Sequence, residues 1–265
     1  MNTTVFVGGG RITSALVVGL RRAKHQGLIV VHDRNTQKMR ALQREFRVAV
    51  EHDLQSAVTR ADMLIIAVRP AAVAKALDDI AGCTGASRLL VVSLAAGIPL
   101  KKLRPLLAPQ VRWARALPSP ICCIGRGLTA VTFARNLSHP DRKRVRKFFE
   151  QVGPVLEMAE SRLDAFNAAY SPAHGYHALA TLGQAAQSAG LDPKVALIAA
   201  AHALADAIHN WRESGQNLSN LLNESATPGG TSAATLAGMD TAGYKRAIER
   251  GLAAGIQQAR ANARR

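Results

Sequence analysis

The sequence predicts an α/β protein in two parts: a doubly wound parallel sheet over residues 1–157, then an all-helical domain over 158–265. Three observations predict it. Short apolar runs alternate with helix-patterned segments through the first half. A glycine-rich turn joins the first of those runs to the first helix. From Arg142 onward strands give way to alanine-rich helices.

In order, Thr4-Val5-Phe6-Val7 reads as a short buried strand, and Gly8-Gly9-Gly10 follows at once. A helix is expected over 13–23, a strand over 28–32 and a helix over 36–45, with a short strand at 48–50 and a short helix at 54–58. The segment 63–68 is wholly apolar, as a strand covered on both faces must be. Helix 71–80, strand 89–93, helix 99–107 with its proline at the start, strand 111–116 and an edge strand at 128–134 complete the sheet domain. Beyond it, helix 142–152 ends at Gly153-Pro154 and a last extended piece covers 155–158. Helices are then expected over 161–169, 176–189, 193–214, 218–223, 231–237 and 243–262.

Composition narrows the function classes. The 265 residues are 48% hydrophobic but only 4% aromatic, so the core is aliphatic. No apolar run reaches membrane-spanning length, and the first strand runs into the glycine turn with no basic-then-apolar leader pattern. Cys83, Cys122 and Cys123 form no CxxC and suit buried thiols in a reducing compartment, so a cytoplasmic location and no membrane partner are expected. The net charge of +16 would attract polyanions. Its carriers are dispersed, however, over Arg21-Arg22-Lys24, Lys101-Lys102-Arg104, Arg142–Lys147 and Arg260-Arg264-Arg265, with no aromatic residues interleaved for stacking. A solvated basic surface and no nucleic-acid partner are expected.

The site candidates follow from the same pattern. A strand, a GxGxx turn at Gly8, Gly10, Arg11 and Ile12, and a helix place a dinucleotide pyrophosphate on a helix N-terminus, although Thr13 stands where a third small residue is usual. Asp33-Arg34 closes the second strand. The carboxylate suits ribose hydroxyls, whereas the guanidinium, with Thr36 and Lys38, suits a 2′-phosphate. Asp33 is also a candidate helix cap, with Asn35 and Thr36 as rivals. Val68-Arg69-Pro70 and Arg115–Pro120 end later strands on the edge where ligands bind in such sheets. In the helical half, Thr227-Pro228-Gly229-Gly230-Thr231-Ser232 reads as a capped helix start, with Thr227 as cap and Pro228 in the first helical position. Its bare amides could hold a carboxylate. His174, His177, His202 and His209 lack the companions a metal set needs, and no metal is expected.

These segments resemble the pyrroline-5-carboxylate reductase family nearly end to end. The likeness includes the glycine turn, Val68-Arg69-Pro70, Ser93-Leu94-Ala95-Ala96-Gly97-Ile98, Arg115-Ala116-Leu117-Pro118, Phe148–Gly153 and, most specifically, Thr227–Ser232 with the helix after it. The resemblance implies a Rossmann-type domain, a helical dimerisation domain and a homodimer or higher oligomer. It implies NAD(P)H-dependent reduction of a cyclic imine carboxylate, Δ1-pyrroline-5-carboxylate to L-proline, with NADPH expected and NADH the alternative. By position, Ser232 and Thr231 would act at the ring nitrogen and Thr227, Gly229 and Gly230 at the carboxylate. Gly8, Gly10, Arg11, Ile12, Asp33, Arg34, Val68, Arg69, Pro70 and Ala95 would bind cofactor. The chain departs from the family at Arg11, Ser119 and Tyr170–Tyr176. An altered member, acting on another cyclic imine or regulating through nucleotide binding, is the alternative.

Overall fold

The computed structural model describes residues 2–262; Arg264 and Arg265 of the last basic run lie outside them. The sheet comprises β1 (Thr3–Val7), β2 (Leu28–His32), β3 (Ala49–Val50), β4 (Met63–Ile66), β5 (Leu90–Ser93), β6 (Arg112–Pro118), β7 (Thr129–Phe133) and β8 (Val155–Glu157). Their order is β3-β2-β1-β4-β5-β6-β7-β8. The chain reverses its direction of growth between β1 and β4, which makes that junction the topological switch point.

Helices α1 (Arg11–Arg22), α2 (Thr36–Phe46), α3 (Leu54–Arg60), α4 (Val73–Ala81), α5 (Leu100–Leu103) and α6 (His139–Glu150) join the strands. The period of two along each strand sends alternate residues to opposite faces. Phe6, Val31, Ile65 and Val92 pack with Leu16 and Phe149 on one face, and Val5, Val30, Leu64 and Val91 pack with Leu77 and Trp113 on the other. Burying each such side chain is worth about 1.5–3 kcal/mol, so continuous apolar strands are stable only when covered on both faces.

Two expectations about the sheet change. The 128–134 strand is not at the edge: β7 pairs β6 antiparallel, and β8 pairs it in parallel outside. A 3-10 turn at Pro120–Ile124 turns the chain back immediately after β6, with no helical crossover, so an antiparallel neighbour results. The helix expected at 71–80 begins as a 3-10 turn at Pro70–Ala72, and the one at 99–107 is α5 followed by a 3-10 turn at Arg104–Leu106. Pro70 and Pro105 each remove a backbone donor there.

The second half carries α7 (Leu163–Ala169), α8 (Pro172–Ser188), α9 (Pro193–Ser214), α10 (Leu218–Ser225), α11 (Thr231–Thr241) and α12 (Tyr244–Asn262). Packing divides the chain into two compact units, Met1–Tyr170 with Ala254–Arg265, and Ser171–Ala253. Composition changes near residue 157, where strands stop, but Leu163 of α7 is still buried against Leu117 and Ala130 of the sheet unit. In the helical unit α8 and α9 form a hairpin in which Gly183 lies against Leu197, and Ala196 and Ala200 are buried. Val195, Ile198, Trp211, Leu218 and Leu222 of this unit remain exposed. No helix among the described residues is long and apolar enough to cross a membrane.

Candidate active site

The turn between β1 and α1 is built from three glycines with three different reasons. Gly8 has φ +112°, and a Cβ on it would lie 2.7 Å from the Ala67 carbonyl oxygen. The Gly9 N–H donates to Asp33 Oδ2 at 2.7 Å, tying the turn to the end of β2. Gly10 is the N-cap of α1 in an ordinary extended conformation, and a Cβ there would meet nothing within 4 Å. The fold does not require glycine at position 10; what glycine leaves there is open space beside a helix end that no side chain caps. Thr13, the unusual residue in the motif, is buried and donates its hydroxyl to the Gly8 carbonyl, so it braces the turn.

A cleft of about 970 Å³ opens around this turn, at the carboxyl ends of β1, β2 and β4. The structure brings Gly8, Gly10, Arg11, Ile12, Asp33, Arg34, Val68 and Arg69 together on its lining. Pro70 and Ala95, expected beside them, do not line it. Pro70 opens the 3-10 turn leading away to α4, and Ala95 is buried with its carbonyl facing Arg115. His32 also lines the cleft, its Nδ1 3.0 Å from the Glu51 carbonyl oxygen; its place at the end of β2 was the available signal.

The competing roles of Asp33 and Arg34 are separated by the geometry. The two Asp33 oxygens accept the Gly9 N–H at 2.7 Å and the Asn35 N–H at 2.8 Å, so the carboxylate organises its own chain. The α2 cap is Asn35, whose Oδ1 accepts from the Lys38 N–H. Arg34, Thr36 and Lys38 line a shallower hollow of about 640 Å³ that shares Arg34 and Lys38 with the cleft. Arg11, Arg34, Lys38 and Arg69 all line the cleft, and none forms an ion pair with a carboxylate among the described residues. Arg11 stands in the first turn of α1, which holds no acidic residue, where the helix dipole disfavours a cation. An anion bound at that end would relieve the conflict.

The second candidate lies in the helical unit and differs from expectation in one respect. Pro228 is not in the first turn of α11. The Gly230 N–H donates to the Thr227 carbonyl at 3.0 Å, and Gly229 has φ +79°, so Thr227–Gly230 is a type II turn with proline and glycine at its centre. Gly230 is the N-cap of α11, and no side chain caps it. Thr227, Thr231 and Ser232 are exposed, and their hydroxyls make no hydrogen bond among the described residues. The α1 and α11 N-termini are therefore both uncapped by any side chain among the described residues, each preceded by glycines and each able to receive an anion on its N–H groups.

Cys122 is buried, which pushes its thiol up to about 12, and burial also raises Cys83. His202 pairs with Asp206 on an exposed helix face at 3.0 Å. Among the described residues no three His, Cys, Asp or Glu side chains gather as a metal site. Tyr170 accepts the Leu128 N–H at 2.8 Å, and Ser171 caps α8, so that divergent segment has local structural work.

Known proteins share this architecture. Residues 3–97 match the model of the NADP oxidoreductase coenzyme F420-dependent family, and residues 160–262 match that of pyrroline-5-carboxylate reductase dimerisation. The chain is 28% identical to the pyrroline-5-carboxylate reductase of Corynebacterium melassecola, over 94% of each chain. Its fold is that of the Plasmodium falciparum pyrroline carboxylate reductase solved with NADP bound, with a TM-score of 0.87 at 19% identity, covering 99% of this chain and 98% of that one. The 1-pyrroline-5-carboxylate reductase of Streptococcus pyogenes matches with a TM-score of 0.87 at 20% identity over 98% of each chain.

Proposed function

The chain belongs to the pyrroline-5-carboxylate reductase family, and we propose from that premise that it reduces Δ1-pyrroline-5-carboxylate to L-proline with NADPH. The observation that carries the cofactor half is the uncapped α1 terminus beside an open Gly10, in a cleft lined by four unpaired cations. A dinucleotide pyrophosphate fits that terminus, and Arg34 with Lys38 and Thr36 fits a 2′-phosphate better than the ribose hydroxyl for which Asp33 was a candidate. Bound there, the cofactor supplies a hydride.

The protein's own tasks are few. The α11 N–H groups from Thr231 onward hold the ring carboxylate, and the type II turn at Thr227–Gly230, closed by the Gly230 N–H, shapes that end. Ser232 and Thr231 offer hydroxyls that orient the ring nitrogen and relay its proton. A cyclic imine is readily protonated, so alignment and exclusion of water do most of the catalysis, and no lysine or histidine acid is required. The exposed apolar side chains of α9 and α10 suit a homodimer formed through the helical unit. Three unpaired thiols suit the cytoplasm.

The test is turnover by purified protein of pyrroline-5-carboxylate and of its six-membered homologue, each with NADPH and with NADH. Saturable oxidation of NADPH, fastest with the five-membered ring, is expected. Tight NADPH binding with no turnover of either imine would overturn the reading in favour of a regulatory role.

A further inference from the structure

One row of paired residues crosses the sheet near the carboxyl ends of its central strands: Val7, Ile66, Ser93 and Arg115. Arg115 is the charged member, and it is only 2% exposed. One guanidinium nitrogen donates to Glu160 Oε1 at 3.0 Å, and another to the Ala95 carbonyl at 3.4 Å. The same Glu160 oxygen accepts the Leu100 N–H at 2.7 Å. A single arginine–glutamate pair therefore fastens both ends of the loop at 94–99 that follows β5. From another side the loop meets α12: Gly97 has φ +80°, and a Cβ on it would run into the Ala259 carbonyl oxygen.

Stability does not explain this arrangement. Desolvating a charged pair costs much of what its attraction returns, and apolar side chains of the same volume usually serve a core as well. Here the bond to Ala95 is long and Arg115 Nε is buried with no partner. What the pair does is fix a loop. In an open parallel sheet a dinucleotide straddles the switch point, one half on each side. The Asp33–Lys38 hollow takes the adenosine side. The other half must then extend past Val68-Arg69 toward the loop after β5.

We propose that Arg115 and Glu160 are positioning residues that hold the 94–99 loop as a rigid support for the reduced nicotinamide ring. The inference rests on the reading of the preceding subsection. Neither residue lines the cleft, so loosening the pair should disturb ring alignment and leave the phosphate contacts intact.

The experiment compares wild type with Arg115→Met and Glu160→Gln. Glu160→Gln keeps the shape and an acceptor for Leu100 but removes the charge that holds the guanidinium. Five readouts apply: NADPH dissociation constant, kcat, the primary isotope effect with NADPH deuterated at the transferred position, amide hydrogen exchange over 94–100 without ligands, and melting temperature. Expected are a fall in kcat of about tenfold or more, an NADPH dissociation constant within about threefold of wild type, a larger isotope effect, and faster exchange across the loop. A structural pair alone would lower the melting temperature while leaving kcat and the isotope effect unchanged, and that result overturns the proposal. So does unchanged exchange in Glu160→Gln. If Arg115→Met does not fold, Glu160→Gln decides by itself. Wild type that binds NADPH but reduces no imine contradicts the function; active wild type matched by both variants contradicts only the positioning role.

Discussion

Arg11 is the residue whose placement makes least sense without a ligand. A cation in the first turn of a helix opposes the dipole and costs about 0.3–1 kcal/mol. Arg11→Asn should raise the stability of the free protein by roughly that amount and weaken NADPH binding. Thermal unfolding and fluorescence titration of one preparation check both signs, and a loss of stability would show that Arg11 serves the fold. Arg34→Ala should weaken NADPH by about tenfold or more while changing NADH little, because one charge-assisted contact is lost only with the 2′-phosphate. Equal losses would remove the phosphate from that hollow. Ser232→Ala should lower kcat and leave NADPH affinity as it is; parallel loss of both would take the hydroxyl out of the chemistry.

At the scale of elements, the two glycines of the first motif separate fold from function. Gly8→Ala forces a side chain onto φ +112° and into the Ala67 carbonyl, so it should destabilise the protein by 1 kcal/mol or more, an order-of-magnitude expectation for strained backbone. Gly10→Asp meets open space and supplies the cap α1 lacks. It should stabilise the free protein by roughly a few tenths of a kcal/mol, because glycine is already a fair cap, while nearly abolishing NADPH binding. Destabilisation by Gly10→Asp would refute the claim that this helix end is left open for an anion.

Elements were legible where the physics is local. The apolar runs at 63–68 and 89–93 read as covered strands and form β4 and β5 within those bounds, and β2 and α9 fall on their expected bounds. Long-range geometry decided the rest. Which partner β7 pairs, whether Asp33 faces ribose or the Gly9 amide, and whether Pro228 starts a helix or centres a turn depend on tertiary closure. Glu160 carried no sequence signal, because its partner stands on β6 and the amide it accepts precedes it by the length of the sheet's last third.

For the whole molecule, charge and assembly give the remaining expectation. The chain carries a net charge of +16, and the cofactor and substrate of the proposed reaction are both anions. NADPH association should slow steeply as salt rises toward about 0.5 M, where screening shortens to a few ångströms. Dissociation should change far less, because the close contacts are screened less. A stopped-flow salt series distinguishes these, and a salt-independent association rate would mean that the basic surface does not steer ligands.

The most direct test of the account follows the hydride itself. Pyrroline-5-carboxylate is incubated with NADPH deuterated at the transferred position, and the proline formed is analysed by mass spectrometry and NMR. The account predicts one deuterium per proline, on Cδ, the nitrogen-bonded ring carbon that does not carry the carboxylate. Deuterium retained on the nicotinamide, with no proline formed by a protein that binds NADPH, would contradict it.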